Sequence, residues 1–263
     1  MKGITRSVSY VAALAGWLAL GVMLNTLVPA AKGADKHASA KANYLEPRIL
    51  TGTIYADESS HEALFHFRRT VVESNSTIRV LREYTRPNGS TAAREHVVYV
   101  DGKLASYQLE ELQTGARAAA TVDPGKQRIA FDYSMGSTKR NDSEKLQPDT
   151  LIGDMVAPFI LAHWERLMSG SSVKFRMVAP SRAETVGFKL VKDSDTTMRG
   201  KPVVVIRMEP SSLIIASLID PLRFTIERDP PHRILQYSGR ITPAVQRNGK
   251  WADIDALTVF DWK

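Results

Sequence analysis

VVYVDGKLASYQL, residues 97–109, is a β-hairpin written in sequence. Val97, Tyr99 and Leu104, Ser106 sit on either side of Asp101-Gly102, a dipeptide that tolerates the two positive φ angles of a two-residue type I′ turn. Asn88-Gly89 and Pro124-Gly125 repeat the punctuation on either side, so from Ile49 to Tyr133 the chain reads as strand-length runs parted by turns about a dozen residues apart. That spacing predicts an antiparallel meander, because parallel pairing needs long crossovers and this region has none.

The pattern changes at DTLIGDMVAPFILAHWERLMSG, residues 149–170. Ile152, Met155, Val156, Phe159, Ile160, His163 and Leu167 recur at helical spacing, and Gly170 stands where a helix would stop. Pro158 cannot donate to the Asp154 carbonyl, which predicts a kink or two short helices. Strands resume with VKFRMVA (173–179), TVGFKLV (185–191) and PVVVIRME (202–209), and three more follow in LRFTIER, HRILQYSGR and DIDALTVFDW. Between these groups lies SSLIIASLID, where Ser211 or Ser212 can cap a short helix that Pro221 ends. About twelve strands in one domain are too many for a flat sheet, which would curl into a barrel, half-barrel or sandwich. The expected fold is therefore mainly β: a strongly curved antiparallel sheet, an open half-barrel, with one kinked helix and one short apolar helix. Arg68, Arg69, Arg79, Arg82 and Glu83 leave no clean apolar face for a membrane-spanning barrel, and Arg79, Arg82 and Arg86 are expected on a solvated sheet surface.

The N-terminus carries Lys2 and Arg6 before an uncharged stretch, residues 11–28, with Ala30, Ala31, Gly33 and Ala34 after it. A basic start, an apolar run and a small-residue exit describe a signal peptide, residues 1–34, with an uncleaved anchor as the alternative. A flexible lead-in, 35–47, and one β-rich domain, 48–263, follow. The chain carries +7 overall, but three of its basic residues and none of its acidic ones lie in residues 1–34. The remainder, at +4, is ordinary for its size, and no stacking aromatics interleave its arginines, so nucleic acid is not an expected partner. There is no cysteine, which excludes thiol chemistry and leaves stability to the core.

Motifs for chemistry are scarce. HEALFH, His61–His66, places its histidines five apart, about 140° round a helix or on opposite faces of a strand. Neither geometry converges on a metal, and none is expected. Ser171-Ser172-Val173-Lys174 matches Ser-x-x-Lys in letters, but it opens a strand instead of a helix. Glu110-Glu111 and Asp253/Asp255 are carboxylate pairs without a visible cleft, and His163 reads as a packed side chain beside Trp164. No Gly-x-Ser-x-Gly elbow or phosphate loop is present, so no catalytic residue or cofactor is expected.

Leu213, Ile214, Ile215, Leu218 and Ile219 make the second helix apolar nearly all round. Such a helix is either a core plug or a lid over an apolar cavity. In the lid reading, Phe159, Trp164, Leu213, Ile215 and Leu218 line a site for an acyl chain. The order of signal, meander, kinked helix, strands and short apolar helix resembles that of periplasmic lipoprotein carriers of the LolA type. The stretch MEPSSLIIASLIDPLRFTIERDPPHRILQYSGR, residues 208–240, is similar to exported bacterial proteins described as outer-membrane lipoprotein-sorting proteins. The resemblance implies an exported, periplasmic, non-catalytic carrier of a lipid, acyl chain or lipoprotein, meeting the membrane only through its signal segment or transiently. It says nothing of oligomeric state. A hydrolase of envelope polymers, or a structural envelope protein docking a partner at a sheet edge, are the alternatives.

Overall fold

The computed structural model describes residues 43–212 and 220–262. Residues 1–34, where a signal peptide is expected, residues 35–42 of the expected lead-in and the apolar stretch 213–219 lie outside the described residues.

Fifteen strands form one sheet. In chain order they begin with β1 (Ile49–Tyr55), β2 (Ala63–Ser74), β3 (Thr77–Thr85), β4 (Thr91–Val100), β5 (Lys103–Glu111), β6 (Ala116–Asp123), β7 (Arg128–Met135) and β8 (Thr138–Lys145). These pair as a continuous antiparallel meander. After the two-residue β9 (Thr150–Leu151) come helices α1 (Gly153–Ala162) and α2 (Trp164–Met168). The second half is β10 (Val173–Ala179), β11 (Glu184–Met198), β12 (Lys201–Pro210), β13 (Leu222–Glu227) and β14 (Ile234–Arg240). A small hairpin, β15 (Val245–Arg247) with β16 (Lys250–Ala252), precedes β17 (Asp255–Asp261). β17 joins the halves by lying between β1 and β14.

The turns are those the sequence implies. Asp101 and Gly102 have φ of 50° and 71° across the β4–β5 hairpin. At Asn88-Gly89 the loop is one residue longer: the Gly89 amide donates to the Arg86 carbonyl, the Arg86 amide to the Ser90 carbonyl, and Gly89 takes φ 85°. At the junction of the halves, Gly52 lets β17 come close, for a Cβ there would lie 2.7 Å from the Val259 carbonyl oxygen.

The sheet curls without closing into a barrel. Its two edges, β8 and β9, are consecutive in the chain. Fifteen strands would span about 67 Å if flat, whereas the link from Lys145 to Thr150 reaches at most about 19 Å. The edges must therefore approach each other. Side chains bridge the seam: Arg140 donates to the Ser181 carbonyl at 2.6 Å, and the Thr185 hydroxyl donates to Glu144. β8 (TKRNDSEK) is exposed on both faces, and its charges guard an open edge.

The interior holds two apolar clusters. One gathers α1 and α2 with β10–β13 and the far ends of β3–β7; the other unites Leu50, Ile54, Phe65, Phe67, Tyr84 and Ala93 with Ile241 and Ile254. Two short helices are present as Pro158 implied, but the break falls at His163 (φ −115°), five residues beyond the proline. Of the arginines expected in solvent, Arg82 is largely buried on the concave face beside the buried Arg69, Arg86 is half-buried, and only Arg79 stands exposed. Asn43–Pro47, the end of the lead-in, is held against the core, with the Tyr44 ring stacked 4.3 Å from that of Tyr99. The strands are also more numerous, because β8 and the β15–β16 hairpin were not foreseen.

Candidate functional site

A charged row crosses the concave face. Arg69 of β2 lies opposite Arg82 of β3, which lies opposite Glu95 of β4. Each shares its face with apolar neighbours two residues away: Phe67 and Val71, Val80 and Tyr84, Ala93 and Val97. Asp154, in the first turn of α1, meets this row from the helix side. Its carboxylate accepts from Arg69 Nε at 2.7 Å, Arg69 Nη2 at 3.3 Å and the Tyr99 hydroxyl at 2.8 Å. Arg69 spends its other donors on the Tyr44 carbonyl (2.7 Å) and the Pro47 carbonyl (2.6 Å). The helix N-terminus adds favourable partial positive charge beside Asp154.

Burial alone would raise the Asp154 pKa. The Arg69 charge and hydrogen bonds, the Arg82 charge and the Tyr99 hydroxyl reverse this, and the carboxyl titrates below its ordinary value. Burial, and then the Asp154 charge, push the Tyr99 phenol well up. The group is charged, neutralised and fully hydrogen-bonded. Such an arrangement fixes α1 in the sheet and offers no free nucleophile or base.

A second group ties residues 241–244 across the mouth of the half-barrel. Arg82 donates to Glu95, whose other oxygen accepts from the Thr242 hydroxyl. Glu111 accepts from the Ala244 amide, while Gln113 donates to the Ala244 carbonyl. The Arg82 guanidinium lies 5.4 Å from the Phe67 ring centre and 5.9 Å from that of Tyr84. Burial raises the Tyr84, Tyr107 and Tyr237 phenols, so all three are neutral donors at physiological pH.

The expected lining residues are not all brought together. Phe159 packs 5.6 Å from Phe175, which lies 6.0 Å from Phe188. Phe188 pairs with Pro210 in the register, and the Ser211 amide donates to the Gly187 carbonyl. An aromatic path thus runs from α1 to the strand end from which residues 213–219 depart. Trp164 leaves this path and stacks 4.2 Å from His232 in the β13–β14 connection. Leu213, Ile215 and Leu218 lie outside the described residues.

His66 faces outward on β2 and His61 precedes the strand, and no metal-binding group of His, Asp or Glu occurs among the described residues. Glu110 and Glu111 point to opposite faces, and Asp253 and Asp255 both hold Arg240, at 3.2 and 3.0 Å. The His163 ring contacts the Phe159 carbonyl at 2.9 Å. Two open hollows, of about 290 and 310 Å³, are lined by Thr51, His66, Arg68 and Glu83 in one and by Asp57, Glu58 and Asp255 in the other. In the first, the Thr51 hydroxyl donates to the Asp261 carboxylate at 3.5 Å, a long, solvent-exposed contact. The charged row was readable in principle: three charged residues occupy the apolar register of three successive strands.

These features define a mainly β protein, an unclosed antiparallel half-barrel with helices against its concave face. No protein-family model and no curated protein matches the chain. Among solved structures it is similar to a porin-like protein from Bacteroides uniformis ATCC 8492, at 8% identity over 81% of this chain and 95% of that one. The TM-score is 0.21, too low to carry an argument about fold or function.

Proposed function

We propose that this chain is an exported, periplasmic binding or carrier protein for an amphiphile or lipid-modified partner, working without catalysis or cofactor. The observation that carries the reading is the aromatic path Phe159–Phe175–Phe188, which links α1 to the start of the apolar sequence LIIASLI, residues 213–219. An acyl chain needs apolar burial and no directional partner, which this aromatic path and an apolar sequence such as 213–219 suit. The similarity of residues 208–240 to lipoprotein-sorting proteins points the same way, including to the exported location.

The test is binding of a fluorescent acyl-chain probe to the parent and to Ile215→Asp, each checked for folding by urea denaturation. Saturable parental binding, reduced at least tenfold in a folded Ile215→Asp variant, is the expected result. A parent that binds no probe, or a folded variant that binds as well as the parent, overturns the proposal.

A further inference from the structure

The mouth closed by residues 241–244 carries a second kind of surface. Several connections lie at this end. Gln113 in the β5–β6 turn bonds both Arg86, next to the β3–β4 turn, and Ala244, next to the β15–β16 hairpin. Ala116 follows that turn directly, and its neighbour Arg117 pairs with Ser134 beside the β7–β8 turn. Residues 241–244 therefore reach from β14 to the β5–β6 turn, and the β15–β16 hairpin starts beside that turn.

These neighbouring tips each expose a large apolar side chain: Leu112 (50%), Met135 (43%) and Trp251 (41%). Packing does not require this, since buried Ile241, Ala244 and Ile254 already serve the core from the same loop. Three cations of the rim, Arg86, Arg247 and Lys250, pair with no carboxylate among the described residues. Arg247 and Lys250 flank the exposed Asn248-Gly249 tip, and neither forms an ion pair with a carboxylate among the described residues. Arg86 spends its guanidinium on neutral partners, Ser90 and Gln113. Of the nearby acids, Asp253 and Asp255 share the one Arg240, which leaves a single net negative charge there, and Glu111 is turned inward onto Ala244.

A tryptophan and two aliphatic tips beside free arginine and lysine match a lipid headgroup layer with negative charge. Indole prefers the interface, and each basic residue near an anionic surface adds to attraction. A protein partner would favour a flatter, more continuous apolar patch than separate tips. We infer that this rim, Leu112, Met135 and Trp251 with Arg247 and Lys250, is a docking face for an anionic lipid membrane surface.

The absence of cysteine makes a clean test in the full chain. Leu112→Cys carries an environment-sensitive fluorophore; Val72→Cys, equally exposed (58%) toward the opposite end of β2, carries the same label as control. With vesicles of phosphatidylglycerol and phosphatidylcholine, the label at 112 is expected to shift blue and brighten severalfold, and the label at 72 to stay unchanged. Arg247→Glu with Lys250→Glu, exposed positions that leave the fold intact, should reduce the response at least fivefold. Because the readout is local, insertion of residues 11–28 alone cannot produce it. The inference is overturned by an unresponsive label at 112, by equal responses at 112 and 72, by equal responses to pure phosphatidylcholine, or by indifference to the charge reversal. None of these outcomes bears on acyl-probe binding, so this inference and the carrier proposal fail separately.

Discussion

Asp154→Asn removes one charge from the most enclosed ion pair in the half-barrel and changes little else. In the folded protein the Arg69 and Asp154 side chains are 8% and 2% exposed. The asparagine can still accept from Tyr99, and Arg69 keeps the Tyr44 and Pro47 carbonyls. What remains is a buried guanidinium without its counter-charge, a change that costs about 3–5 kcal/mol when one partner of such a pair is lost. The retained hydrogen bonds place this case near about 3 kcal/mol. With a urea m-value of about 2 kcal/mol/M, the midpoint should fall by about 1.5 M. Replacing both partners, Arg69→Met with Asp154→Leu, should recover most of the loss, because an apolar pair leaves no orphaned charge.

The pH dependence has a definite sign. Asp154 is depressed in the folded state, whereas an unfolded aspartate titrates near about 3.9. Its contribution is therefore complete above about pH 4 and is lost as pH falls through the lower folded value. The gap between parent and Asp154→Asn should narrow in acid. A loss under about 1 kcal/mol at pH 7, or a gap that widens in acid, would refute the reasoning.

Two further outcomes are expected. Gly52→Ala sets a Cβ against the Val259 carbonyl at 2.7 Å, at the β1–β17 seam between the halves, and should cost about 1–3 kcal/mol in urea unfolding. His61→Ala and His66→Ala should each leave stability within about 0.5 kcal/mol and metal content by elemental analysis unchanged, since the side chains are exposed and do not converge.

Much of the fold was legible because its strands obey local rules. The Asp101-Gly102 and Asn88-Gly89 turns carry the positive φ that their residues favour, and Val173–Ala179 forms the strand its alternation implies. β8 was not legible, because a strand exposed on both faces has no apolar period to read. The β15–β16 hairpin is too short for alternation to mark, although Asn248-Gly249 announced its turn. Arg69 and Arg82 are buried where charge alone points to solvent. Their register with Phe67 and Tyr84 was the better guide, and Asp154, 85 residues beyond Arg69, supplies the counter-charge that makes burial tolerable. Phe159 and Trp164 are five apart, about 140° round a continuous helix, and the break at His163 also sends them to different neighbours.

The carrier reading is tested most directly by what the protein holds when it is isolated. The full chain, purified without detergent from an exporting bacterial host, is extracted with organic solvent, and the extract is weighed by mass spectrometry against the protein. The account predicts an acyl-chain-bearing molecule in about stoichiometric amount, depleted in a folded Ile215→Asp preparation. An extract with no amphiphile above that of an unrelated exported β-rich protein prepared in parallel would contradict it.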